Sequence, residues 1–169
     1  MANIELEGFD SYLKQLNALR DDVVPMCKAI VFPGAAILAD AMRSEVDSLP
    51  TITDARAKNN YQHGVVNAAL SVTQKAGLSD SLGITPIKKD RQGMVQCSVG
   101  FSGYNNVVTR KFPNGQPNAE VARSLEKGTS YLKRNAFATR AVKKARANAE
   151  SAMRAEADTQ IQRIMDANE

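Results

Sequence analysis

The run EVARSLEKGTSYLKRNAFATRAVKKAR, from Glu120 to Arg146, holds two helical patterns with a break between them. Val121, Ala122 and Leu125 recur on one helical face, and the pattern stops at Gly128, which closes a helix in a left-handed conformation at no steric cost. Thr129 and Ser130 offer hydroxyls to the loose backbone groups there. After six residues of linker a longer pattern opens at Asn135, whose side-chain oxygen is expected to accept from first-turn amides, with Phe137 in that turn. The expected unit is helix, elbow, helix.

The second helix is expected from Asn135 to about Asp166, roughly 45 Å at about 1.5 Å per residue. Its inner seam reads Val142, Ala145, Ala149, Met153, Ala157, Ile161 and Ile164. Small residues in the first half let another backbone approach closely but bury little area. Such a helix is explained by packing on a sheet at one end and on another subunit at the other.

Upstream, Ile4 and Leu6 alternate with Glu5 and Glu7 as in a short half-buried strand. Asp10 is the expected cap of a helix carrying Phe9, Leu13, Leu16 and Leu19 and ending near Asp22. A second helix runs from about Pro25 to Leu49, stopped by Pro50, with a kink expected at Pro33 and Gly34. The polar stretch 51–63 shows no stable period and reads as a flexible excursion. Val65 to Lys75 reads as a short helix ended by Gly77. Leu82, Ile84 and Ile87, then Met94 to Phe101, read as strands joined by a hairpin through Asp90 to Gly93, with Cys97 inside the second. The segment 102–118 reads as a projecting flexible loop or as a further hairpin turning at Pro113 to Gly115. The fold class is therefore α+β: a small antiparallel sheet packed against helices, with a long C-terminal helix.

At 169 residues the chain is the size of one domain. Glu5, Glu7 and Asp10 argue against a secretory signal, and no apolar run is read as approaching the roughly 20 residues of a membrane span. Cys27 and Cys97 have no partner at metal-ligand spacing and the single histidine is His63, so neither zinc nor any other metal or cofactor is expected. Two ordinary thiols are expected. No nucleophile, base and orienter can be assembled and no Gly-rich phosphate loop is present, so no enzymatic activity is expected.

Net charge is +4 overall, but residues 127–146 carry seven basic and no acidic side chains. Residues 1–50 carry four basic against eight acidic. The basic elbow of Lys127, Lys133, Arg134, Arg140, Lys143, Lys144 and Arg146 has three readings: a solvated helix face, a phosphate-contact surface for DNA, or a surface complementary to the acidic edge of a neighbouring copy. Subunit complementarity is preferred, with a basic, non-sequence-specific DNA-binding module as the alternative. Arg123, Glu126, Gly128, Thr129 and Ser130 are either a helix end with its cap or a loop presented to a neighbour.

ARSLEKGTS (122–130) and NAF (135–137), followed by an Ala-rich charged helix, resemble the signature of the head-tail joining proteins of long-tailed double-stranded DNA phages, also called neck or tail-completion proteins. IELEGFDSYLKQL (4–16), AGLSDSLGI (76–84), VGFSGYNN (99–106) and FPNGQPN (112–118) fall in the family's order. Ala136 stands where the family pattern usually has proline. The resemblance implies one joining domain over residues 1–169, acting as a structural virion protein. It implies a homo-oligomeric ring at the head-tail interface, a hexamer in preference to a dodecamer, through which DNA passes. Its partners would be connector or head-completion proteins and tail-terminator or tail-tube proteins, in the virion neck after assembly in host cytoplasm, with no membrane. The expected subunit interface comprises Arg123, Glu126, Gly128, Thr129, Ser130, Phe137, Arg140, Lys143 and Lys144. The expected partner-contact loops carry Arg56, Lys58, Tyr61, Arg110, Lys111 and Phe112.

Overall fold

The computed structural model describes residues 9–21 and 23–167. The expected strand at Ile4 and Leu6 and the side-chain cap at Asp10 lie outside what is described. Helix α1 spans Phe9–Asp21 and α2 spans Val23–Asp47, unbroken through Pro33. Strand β1 (Thr51–Ile52), α3 (Asp54–Gln62), β2 (Leu70–Ser71) and α4 (Val72–Ser81) follow. Then come β3 (Leu82–Ile84), β4 (Lys88–Lys89), β5 (Val95–Gln96), β6 (Val99–Phe101), β7 (Tyr104–Asn105) and β8 (Gln116–Pro117). Helices α5 (Asn118–Lys127) and α6 (Phe137–Asp166) close the chain. The class is α+β, as expected.

Contacts group these elements into two compact units: residues 1–34, 86–97 and 148–169, and residues 35–85 and 98–147. One division falls at the Pro33-Gly34 pair, inside α2. In the first unit Gly34 meets α6 so closely that a Cβ there would lie 2.5 Å from the Met153 sulfur. The hairpin β4–β5 belongs to this unit; the Asp90 carboxylate accepts from the amides of Gln92 (2.9 Å) and Met94 (2.8 Å), which sets the turn where it was expected.

The second unit holds the main core: Met42, Val46, Leu49, Leu70, Leu78, Val121, Ala122, Leu125, Phe137 and Ala141. Each large apolar side chain buried there contributes about 1.5 to 3 kcal/mol. Phe101 of β6 meets Phe137 with ring centroids 6.0 Å apart. Strands β3 and β6 pair antiparallel, with Leu82 opposite Phe101 and Ile84 opposite Val99.

Several expectations are corrected. The stretch 51–63 is not an irregular excursion: β1 pairs parallel with β2, and α3 is capped by Thr53, whose hydroxyl accepts from the Arg56 amide at 3.3 Å. Its polarity fits a short helix with no buried residue. The helix expected over 65–75 begins only at Val72, behind a capping box in which Ser71 and Gln74 exchange hydrogen bonds. Gly77 does not end it; it lies inside α4 because a Cβ there would sit 2.6 Å from the Asn118 side-chain oxygen. Among the described residues the strands form four separate two-stranded ladders, one of them parallel, rather than one antiparallel sheet. Each strand is only two or three residues long, and Cys97 falls in the link between β5 and β6. Both cysteines are free thiols. Segment 102–118 is a hairpin, β7 paired with β8.

On α6 the expected seam holds at Ala145 and Ile164, which are buried, and at Ala149, Met153 and Ala157, which are half-buried; Val142 and Ile161 are exposed instead, and Phe137 and Ala141 extend the buried line toward the helix start. Helix α2 also differs from its reading. An 18-residue window of mean hydropathy 1.6, of which 17% is buried, makes it long and apolar enough to cross a membrane by length and composition.

Candidate functional site

The elbow is built by reciprocal capping. The last carbonyls of a helix and the first amides of the next have no intrahelical partners, and burying them unpaired is costly. At the end of α5, the Leu125 carbonyl accepts from the Asn135 amide at 2.7 Å and the Glu126 carbonyl from the Arg134 side chain at 3.2 Å. In return the Glu126 carboxylate accepts from the amides of Ala138 (2.9 Å) and Thr139 (3.3 Å) at the start of α6, where the helix dipole favours a negative charge. Glu126, not Asn135, is thus the cap; the Asn135 side-chain oxygen instead accepts from Arg140 at 2.8 Å. Gly128 has φ +78° and ψ 156°, a region essentially reserved for glycine. The Thr129 hydroxyl accepts from the amides of Tyr131 and Leu132, turning the chain back.

The expected interface residues are therefore divided. Phe137 is corrected to a core residue, 0% exposed, because its place in the first turn of α6 faces β6 and α5 rather than solvent. Glu126 is engaged within its own chain. Arg140 and Lys144 stand one turn apart and both reach Glu45 on α2, at 2.8 Å and 2.5 Å. Glu45 is 4% exposed. The Lys144 hydrogen bond, with that of Arg140, holds its carboxyl below the ordinary value against the opposing effect of burial. Arg123 and Lys143 remain exposed, as do Thr129 and Ser130. Glu45 carries no local sequence signal, since its partners lie 95 and 99 positions away.

Beside the elbow lies a groove of about 800 Å³, formed within the second unit by α3, the loop between β7 and β8, α5 and residues 129–132. It gathers residues expected in two unrelated loops: Lys58 and Tyr61 from one, Arg110 and Phe112 from the other, with Thr129 and Ser130 of the elbow. Lys111 is exposed and lies over the Phe112 ring at 5.0 Å, and Arg56 is exposed on α3 outside the lining. Tyr131, not among the expected contact residues, packs against Tyr61 with centroids 4.7 Å apart and ring planes tilted by 45°. Asn67 joins the walls: its amide donates to the Tyr131 carbonyl and its carbonyl accepts from the Lys133 amide, both at 2.8 Å.

At the groove's α3 end the Asp54 carboxylate accepts from the Thr73 hydroxyl (2.8 Å) and amide (3.3 Å). The Ser71 hydroxyl first, and then Thr73, lowers its pKa. His63 ends α3, its ring Nδ1 2.8 Å from the Asn59 carbonyl, and is exposed. Among the described residues no group of three or more His, Cys, Asp or Glu side chains could hold a metal ion. The groove combines apolar walls with the cations Lys58 and Arg110 and the carboxylates Asp54 and Glu120, a lining that suits an extended amphipathic chain segment. No family model matches the chain, and no curated protein or solved structure matches it.

Proposed function

We propose that the chain is a structural virion protein of the phage neck, a tail-completion or head-tail joining protein that assembles as a ring at the head-tail interface through which DNA passes. The resemblance of the ARSLEKGTS and NAF motifs supplies the family. The observation that supports the oligomeric part is on α2, where the large apolar side chains of Val23 and Phe32 are 43% and 58% exposed. Neighbouring copies would cover that surface, and the acidic first third of one copy would meet the basic elbow of the next. The role is geometric rather than catalytic. Sixfold closure is preferred to twelvefold.

The test is the mass of the purified protein by light scattering, with and without connector and tail-end proteins of the same virion, at low and moderate salt. A closed multimer, alone or only with those components, and its loss in Phe32→Asp at unchanged circular dichroism, is expected. A monomer indifferent to neck components but shifted by duplex DNA would replace the reading with a DNA-binding module, and recruitment to lipid vesicles through α2 would replace it with a membrane protein.

A further inference from the structure

We infer that the groove beside the elbow takes residues 2–8, ANIELEG, of a second copy of this chain. The inference rests on the ring reading and gives it an interface. The groove has apolar walls from Tyr61, Val107, Phe112 and Leu132, with Lys58 and Arg110 exposed at its rim. Val108, on the same loop, is 67% exposed and lacks the cover a valine ordinarily finds within its own fold.

Residues 2–8 have the matching pattern. In an extended segment successive side chains alternate, so Ile4 and Leu6 share one face and Glu5 and Glu7 the other. The first face supplies two apolar anchors for the walls, and the second supplies two carboxylates for Lys58 and Arg110. A volume of about 800 Å³ fits two anchored side chains and their backbone rather than a whole domain. Two carboxylates, Asp54 and Glu120, also line the groove and keep their charge, so the strap's own carboxylates belong at the rim, where Lys58 and Arg110 are exposed and Lys111 stands beside Phe112. The charge match is also regional: residues 1–50 carry four more acidic than basic side chains, and residues 51–126 four more basic than acidic. A strap passed from each copy to the next has the head-to-tail form that closes a ring.

The experiment is in two parts. A fluorescein-labelled peptide of residues 1–9 is titrated with the full chain and followed by anisotropy. Saturable binding is expected, weakened at least tenfold in Lys58→Glu/Arg110→Glu and recovered there by a peptide with Glu5→Lys and Glu7→Lys. In parallel, full-length Ile4→Asp/Leu6→Asp is mixed with neck components and weighed by light scattering, and loss of the ring is expected. Three results overturn the inference: a peptide that does not bind, binding indifferent to both charge reversals, or a ring of wild-type mass from Ile4→Asp/Leu6→Asp. A monomeric full chain that excludes the peptide until residues 2–8 are deleted also overturns it, because the segment then fills its own groove. Failure of the wild-type chain to form any ring would instead remove the neck reading, and the peptide titration separates the two.

Discussion

Replacing Glu45 by Gln keeps the shape of the side chain and removes the charge that Arg140 and Lys144 share. Each hydrogen bond from a charged donor to a carboxylate contributes about 1.5 to 3 kcal/mol, against about 0.5 to 1.5 for a neutral acceptor. Gln offers one acceptor oxygen where Arg140 and Lys144 use two, so one bond of about 1.5 to 3 kcal/mol is lost to a facing NH2 and the other keeps a weaker, neutral acceptor. Water screens much of this, since the side chains of Arg140 and Lys144 are 45% and 69% exposed, so a loss of about 1 to 2 kcal/mol is expected at pH 7. For a chain of this size that corresponds to a fall in Tm of roughly 2 to 8 °C. The pH dependence has a definite sign. A carboxyl whose folded pKa is depressed stabilises the fold above the ordinary value of 4.5 and loses that contribution as pH falls through the lower folded value. Thermal melts followed by circular dichroism at pH 7 and at successively lower pH below 4.5 are the assay. Wild type and Glu45→Gln should converge in acid. An equal deficit at every pH, or none at pH 7, would refute the assignment of a stabilising charge to this buried position.

Glu126→Ala removes the carboxylate that caps α6 and should cost about 1 to 2 kcal/mol, with faster hydrogen exchange at the Ala138 and Thr139 amides; unchanged exchange would contradict the capping. Phe137→Ala, in the core rather than at an interface, should cost about 3 to 5 kcal/mol in urea unfolding, and a variant of unchanged stability would restore the residue to the surface. Gly128→Ala places a Cβ 3.0 Å from the Arg134 Cβ in a backbone region reserved for glycine, and should cost about 1 to 3 kcal/mol in the same assay.

Local order was legible where one residue or a short period suffices. The helix before Gly128, the long helix after the elbow and the turn at Asp90 to Gly93 follow from a glycine with positive φ, a sustained helical period and an aspartate that bonds backbone amides two and four positions on. The misreadings share one physical source. Gly77 looks like a helix stop until Asn118, 41 positions on, is seen to need the space a Cβ would fill. The polar run 51–63 lacks a hydrophobic face because α3 buries none, while its neighbour β1 gains order only by pairing with β2.

The candidate site shows the same division. Sequence by itself determined the fold class, the helix-elbow-helix unit and the concentration of basic charge after Gly128, because propensity, capping and composition act over a few residues. Tertiary structure alone decided that Arg140 and Lys144 answer to Glu45 and that Phe137 faces inward. It alone brought Tyr61, Arg110 and Tyr131, from three separate segments, around one groove. Contacts between residues dozens of positions apart form only when the chain packs, and no local pattern records them.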